Sequence, residues 1–322
     1  MTVAALPGNV RLRANQMGKE TTFATPVAAT RRFPWTFAPA FDLHVTFPTA
    51  DTGTLDRALA PYLFAALAKG GVTPSGGGPY SWAYQPASTS QDVFEIFTKE
   101  CGDETGDQYQ LADGVLNQLA LTYPEDLSPI TIAADWYFSS ISGGPNTSFT
   151  RTPALTVDGS PNWVYAADTS LYIDSSAGGI EGTKLTNTLH GTTLTINNNL
   201  DKKRFLNGSN TRFNLAGFGR GARTTTVQLT FAKSTVGIAE VANWLNANPV
   251  ERFLGLKTVS PAIAGGSTPY SLDIRLAGYW TANTYGTYNT GNTTDVLTCE
   301  GIVDSTLAYP YLVTVVNSLA SL

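Results

Sequence analysis

Charge is scarce in this chain. Only 14% of its 322 residues are Asp, Glu, Lys or Arg, against roughly 25% in an average soluble domain. Histidine is scarcer still. With His44 and His190 alone, there is little material for a zinc site or a histidine-based catalytic triad. Cys101 and Cys299 stand far apart and form no CxxC pair, so buried free thiols are expected and a disulfide is not implied. No run of 18 apolar residues occurs, so no membrane span is expected. Residues Met1 to Arg13 lack the apolar stretch of a secretory signal. The sequons at Asn146, Asn207 and Asn292 therefore read as chance matches, and the chain as cytosolically made and soluble.

Catalytic and ligand-binding patterns are equally thin. No serine sits in a GxSxG elbow, and no pair of carboxylates stands out as an acid/base couple. Gly217-Phe218-Gly219-Arg220-Gly221 is glycine-rich but departs from GxGxxG and precedes a strand-like segment. It reads as a turn or bulge between strands, since a phosphate cradle needs amides gathered at a helix N-terminus. Glu100, Asp103, Glu104 and Asp107 cluster without EF-hand spacing and read as a solvated turn. The run Asp201-Lys202-Lys203-Arg204 reads as an exposed hairpin end, too small for a nucleic-acid patch. Net charge is −5 and the pI about 5.1, a balance that does not attract phosphate backbones. No enzyme, metal or cofactor is expected.

Thr, Asn, Ser, Gly and Tyr fill the place of the missing charges, a surface chemistry suited to burial against neighbouring subunits. Strand signals dominate. In Ile130 to Phe138 one face carries Ile130, Ile132, Ala134, Trp136 and Phe138, and the other Thr131, Ala133, Asp135 and Tyr137. The same alternation recurs at Leu119/Leu121/Tyr123, Leu194/Ile196, Val227/Leu229/Phe231 and Leu272/Ile274/Leu276. Thr and β-branched residues fill the intervening positions. Two segments have helical spacing. One runs from Leu55 to Ala66, with Thr54 as N-cap, Gly70 as stop and Pro61 either opening or bending the helix. The other carries Ile238, Val241, Ala242 and Leu245, between Thr235 and Pro249.

The order of elements repeats. Strand-like Phe41 to Phe47, the first helix, a Gly/Pro loop (Pro74 to Pro79), a strand through Phe94 and Ile96, and Gly114 to Pro124 form one series. Val227 to Phe231, the second helix, the loop Gly265 to Pro269, the strand Leu272 to Leu276, and Gly301 to Pro310 form another, offset by roughly 180–190 residues and so far longer than a solenoid unit. The expected fold is mainly β, as two tandem β-sandwich or barrel modules each with a flanking helix. An N-terminal arm covers 1–32, the first module 33–138, a Gly/Ser/Pro-rich connecting arm or insertion 139–182, and the second module 183–322.

The opening Gly18-Lys19-Glu20-Thr21-Thr22-Phe23-Ala24-Thr25-Pro26-Val27-Ala28-Ala29-Thr30 resembles the start of many major tail (tail tube) proteins of siphophages. Looser matches follow at Gly53-Thr54-Leu55, Ala66 to Gly70, Gly78 to Trp82, Ala112 to Leu119 and Leu194 to Asn198. The resemblance implies a structural virion protein of the phage tail, made in the host cytoplasm, whose stacked rings form a hollow tube for genome ejection. Its partners would be further copies of itself, with a pseudo-sixfold ring of three chains favoured over a ring of six. The tape measure, tail terminator and distal tail proteins would be the others, with DNA passing through the lumen unbound and no membrane involved. In that reading Phe23, Phe33 and Trp35 make inter-ring contacts. The competing reading is a two-domain virion or surface protein that binds carbohydrate through Tyr80, Trp82, Trp163, Tyr165 and Trp280.

Overall fold

The structure, a computed structural model, describes residues 50–57, 60–87, 93–103, 107–126, 128–145, 163–203, 217–262, 267–289 and 292–322. The described fold is mainly β, with a large antiparallel sheet. Seven strands follow one another edge to edge. They are β1 (Ala50–Thr54), β5 (Thr131–Tyr137), β4 (Asp107–Tyr123), β8 (Leu189–Asn197), β11 (Thr224–Ala232), β14 (Asn292–Ile302) and β13 (Pro269–Asn289). Each pairs antiparallel with the next.

Strand β13 bends and carries the continuous hydrogen-bonded sheet into a second layer, which packs as a second sheet. Its first half lies between β12 (Arg252–Ala262) and β15 (Leu312–Asn317). Beyond these lie β7 (Thr169–Asp174) and β2 (Tyr80–Tyr84). The switch falls at Gly278, which pairs with Arg252 on one side and Gly301 on the other. A Cβ there would stand 2.4 Å from the Glu300 carbonyl oxygen and 2.6 Å from Cys299 Sγ. Only glycine lets the strand bend this close to its neighbour.

The two sheets bury their facing sides in one core. Leu119, Leu121, Leu194, Ile196, Val227, Leu229 and Leu297 of the seven-stranded sheet join Trp82, Tyr84, Leu254, Leu256, Leu272, Ile274, Val313 and Val315 of the other. The alternation read from the sequence places these side chains on one face, and hydrophobic burial holds the layers together. Helix α1 (Ala60–Leu67) packs against β4, and α2 (Thr235–Trp244) against β13 and β14. Buried Asn198 ties the layers where β8 ends: its Nδ2 donates to the carbonyls of Leu67 and Leu116, and its Oδ1 accepts from Arg223 Nε.

Shorter strands extend from this body. β3 (Phe97–Asp103) and β6 (Ser140–Pro145) flank the first part of β4, and β9 (Leu200–Lys203) pairs with β10 (Gly217–Arg220). The expected strand through Phe94 and Ile96 is irregular instead, and β3 begins at Phe97. The backbone there is tied to α1: Glu95 N donates to the Ala65 carbonyl, and Gly70 N to that of Val93.

The second helix stands where the spacing put it, with Ser234 Oγ capping it through Gly237 N, whereas the first is shorter than expected: Thr54 ends strand β1 instead of capping a helix, and α1 begins at Ala60 with Pro61 in its first turn. The face of α2 differs from expectation. Gly237, Glu240 and Val241 are buried, whereas Ile238 and Leu245 are 57% and 60% exposed. The repeated order expected from the sequence is not reproduced: the strand through Phe94 and Ile96 is irregular, Gly114 to Tyr123 is strand whereas Val303 to Tyr311 is loop and turn, and Phe41 to Phe47 lies outside the described residues. The pairings are not copies of each other: β5 joins β4, whereas its counterpart β15 joins β13 and β2. Strands of both halves share one sheet and one core. Within 139–182, β6 and β7 are strands of the sheets.

Candidate assembly surface

The back of the seven-stranded sheet, turned away from the core, is the most unusual surface among the described residues. Residues directly opposite one another in register share a face, so the pairings define rows across it. One row runs Thr54, Thr131, Thr122, Thr193, Gln228, Thr298, Ala282. The next runs Ala133, Ala120, Thr195, Thr226, Glu300, Tyr279. A third runs Asp135, Gln118, Asn197, Thr224, with the Asn197 amide donating to Gln118 Oε1 at 3.0 Å. Thr122, Thr131, Gln228 and Thr284 are exposed. At an interstrand spacing of about 4.8 Å, the first row spans roughly 29 Å.

Threonine fills this face because strands with one buried side need β-branched residues that also tolerate water. Basic residues are excluded from it altogether: none of β1, β4, β5, β8, β11, β14 or the second half of β13 contains a lysine or arginine. Asp135 and Glu300 are the charges on its three rows. The cations are spent elsewhere. Arg275 binds Asp273 at 2.7 Å and also Glu181, which in turn pairs with Lys257, all on the outer side of the other sheet. Burial there pushes the Asp273 carboxyl up to about 6, with Lys257 acting in the opposite direction. Lys202 lies over the Tyr137 ring at 4.1 Å and Arg220 over that of Phe94 at 4.3 Å, beside the β9–β10 pair.

No protein-family model matches this chain, and no curated protein matches it.

Among the described residues no strand pairs with the second edge of β1, nor with the outer edge of Tyr279–Thr284 in β13. An open edge presents a row of unpaired amides and carbonyls, a template for another chain. At the β13 edge the Asn283 amide is buried, and neither its nitrogen nor its oxygen has a hydrogen-bond partner.

Of the five aromatics considered for sugar stacking, Trp82 and Trp280 are core residues. Trp82 Nε1 donates to Asn317 Oδ1 and the Leu319 carbonyl, and Trp280 Nε1 to Glu240 Oε2. Tyr80 is half-buried, while Trp163 and Tyr165 are partly exposed, bridging to Asp56 and Pro129 near the end of β1. They do not form one platform. Phe23, Phe33 and Trp35 lie outside the described residues. Gly217–Arg220 is a strand and not the expected turn or bulge, and Gly221 N extends its pairing with β9 by donating to the Asn199 carbonyl. Glu100, Asp103 and Asp107 sit on the two strands of the β3–β4 hairpin, with Glu104 outside the described residues. Among the described residues no group of three or more His, Cys, Asp or Glu side chains comes together as a metal site, and no helix is long and apolar enough to cross a membrane.

Sequence reading missed the cationless sheet face. Its signal was in plain view as recurrent Thr at alternate positions, as in Thr193/Thr195 and Thr224/Thr226, but only the register shows that these positions adjoin. It also missed the carboxylate under α2, discussed below. Cys299, opposite Trp280 in register, is a buried free thiol. Burial, with Glu240 and Glu300 nearby, pushes it up to about 12. In a Cys101→Ser background it should resist thiol reagents at mildly alkaline pH until denaturant opens the fold. Rapid labelling of the native chain would contradict this.

Proposed function

We propose that this chain is a tail tube protein: a structural subunit whose copies close side by side into rings that stack into a hollow conduit for DNA. The observation that carries this reading is the wide threonine face without a lysine or arginine, bounded by two sheet edges that no strand among the described residues covers. A wall with little positive potential gives phosphates no counterion-releasing contact, so a duplex moves past it without binding. Open edges are a hazard that ring closure removes.

The face also bears on ring size. Seven strands from each of three copies, spaced at about 4.8 Å and tilted by about 40°, close into a cylinder about 42 Å across between backbones. Allowing about 5 Å of side chain on each wall leaves a bore of roughly 30 Å, which admits a DNA duplex and a layer of water. Six copies give a cylinder of about 84 Å by the same arithmetic, far wider than a duplex needs. Three chains per ring therefore fit best, with net charge −15 from −5 each. In this reading each half of the chain supplies one of six quasi-equivalent positions. Its support is one helix behind each half of the sheet: α1 on β4, and α2 on β13 and β14.

Electron microscopy of the purified chain tests the proposal. Rings or long hollow tubes are expected; dispersed particles that bind glycans would favour the carbohydrate-binding alternative. The stretch before Arg31, with Phe23 in it, is assigned to contacts between rings, together with Phe33 and Trp35. Deleting the first ~30 residues, a length of chain able to span a neighbouring subunit, should leave a folded protein that forms no tubes. Normal tubes from that deletion would remove the arm from the account.

A further inference from the structure

Rings that stack with one polarity bring opposite ends of the same chain together, a head-to-tail contact. The registers define those ends for the seven-stranded sheet. Strand β4 passes Gln118, opposite Asn197, and finishes at Tyr123, opposite Thr192. It then turns into β5, whose first residue, Thr131, lies opposite Thr122. One end of the sheet is therefore the turn between β4 and β5. The other is where β8 runs out at Asn197, opposite Thr224 of β11.

The two ends differ in charge. At the Asn197 end the β8–β11 ladder resumes as the β9–β10 ribbon, from Leu200 opposite Arg220 to Lys203 opposite Gly217. At strand rise, the step from Asn197 to Lys203 carries the ribbon up to about 20 Å beyond the sheet. Its two strands hold three cations, Lys202, Lys203 and Arg220, against one carboxylate, Asp201. Lys203 and Arg220 are exposed. The base of the ribbon is anchored. Leu200 is buried with Phe94 and Val115, Phe218 packs against that cluster, and the Phe218 and Tyr137 rings lie 6.1 Å apart. At the opposite end, the turn after Tyr123 carries Glu125 and Asp126, both exposed, and no lysine or arginine. Glu125 pairs with His190 at 3.2 Å, and Asp126 accepts from Ser128 N.

We propose that the β9–β10 ribbon of each copy docks on the Glu125–Asp126 turn of a copy in the next ring, unlike charge on unlike charge. This rests on the tube reading and adds a polarity to it: basic end against acidic end. Both features prolong strands of one sheet, β8 and β11 at one end and β4 and β5 at the other. They therefore lie on the same wall of the cylinder, where stacking brings them together. Each exposed ion pair contributes little alone. Repeated around every ring they act jointly, and salt weakens all of them at once.

The test uses the full chain, with ring formation and tube length read separately by electron microscopy. Lys203→Glu with Arg220→Glu should still form rings, but tubes at least about tenfold shorter, because like charges then meet at every docking point. Glu125→Lys with Asp126→Lys should do the same, and all four changes together should restore the tubes. Cooperative thermal unfolding checks each fold. Since Arg220 covers the Phe94 ring, its loss can loosen the ribbon, in which case the turn pair alone decides. Full-length tubes from the turn pair overturn the docking and leave the tube reading standing. So does a fourfold variant that forms rings without regaining tubes. Restoration of the ribbon variant by Asp103→Lys with Asp107→Lys instead would assign its partner to the β3–β4 hairpin, which leaves the sheet at the same end as the ribbon, and overturns the docking too. An unmodified chain that never forms rings ends both.

Discussion

Replacing Thr131, Thr193 and Thr298 together by lysine should leave the fold and the tube intact and slow the passage of DNA. The three residues lie in one row of the threonine face, each separated from the next by one uncharged residue, Thr122 or Gln228. The new ammonium groups therefore do not stand directly opposite each other, the arrangement that destabilises a sheet. Each chain changes from −5 to −2, so each ring of the proposed three copies would present nine cations to its bore. Phosphates now release counterions on contact, so DNA sticks in a salt-dependent way. Release from triggered particles, followed by dye fluorescence, should slow at least about tenfold at low salt and recover as salt is raised. The same positions changed to glutamine, of similar bulk but uncharged, should leave the rate unchanged. An unaltered rate in the lysine variant, with intact tubes, would show that this face does not line the path.

The second large effect concerns stability. Glu240, buried on the inner side of α2, accepts from Arg252 Nε at 2.8 Å, Trp280 Nε1 at 2.9 Å and Asn243 Nδ2 at 3.3 Å. The Glu240 and Arg252 side chains are only 9% and 11% exposed. One carboxylate thus fixes α2 to β12 and to β13, next to the bend at Gly278. Glu240→Ala strands a buried guanidinium and a buried indole N–H, and should cost about 3–5 kcal/mol. For a chain of this length that lowers the thermal midpoint by on the order of 6 °C. Glu240→Gln retains an acceptor and should cost less. Pairing Glu240→Ala with Arg252→Met should recover part of the loss, because no unpaired charge then remains. A Glu240→Ala chain as stable as the parent would mean that α2 is held by its apolar contacts alone.

These two residues sets mark what local patterns carry and what they leave out. The alternation from Ile130 onward assigned Ala134 to the core and Thr131 to the surface, and the structure places them so. Helix α1 begins where Pro61 is tolerated, in the first turn. Such features depend on neighbours within a few positions. The orientation of α2 depends on Glu240 meeting Arg252 and Trp280, 12 and 40 residues further on, and no helical periodicity records that. The helical stripe Ile238, Val241, Leu245 instead pointed to a core that takes only Val241. Strand order is likewise long-range. The pairing of β4 with β8 brings Leu119 against Ile196, fusing halves that read as separate modules along the chain. The threonines were legible one strand at a time, and their surface only through six registers. The carbohydrate reading counted Trp82 and Trp280 as exposed because composition says nothing of which tryptophans find buried partners.

Strand pairing also explains why a low-charge surface need not be a poorly soluble one. Threonine hydroxyls hydrate the broad face, while the apolar sides of both sheets are sealed against each other. The liabilities are the margins: the edges of β1 and β13, and the apolar residues Ile238 and Leu245 on α2. Two of these, the β13 edge and α2, lie at the same end of the sheet, where the next copy is proposed to join.

The most direct measurement is an end-on image of assembled particles with symmetry and bore determined. Three chains of 34.3 kDa per ring around a channel of roughly 30–40 Å, walled by the threonine face, are predicted. A chain that stays monomeric at every concentration, or rings whose channel is lined by some other face, would contradict the account.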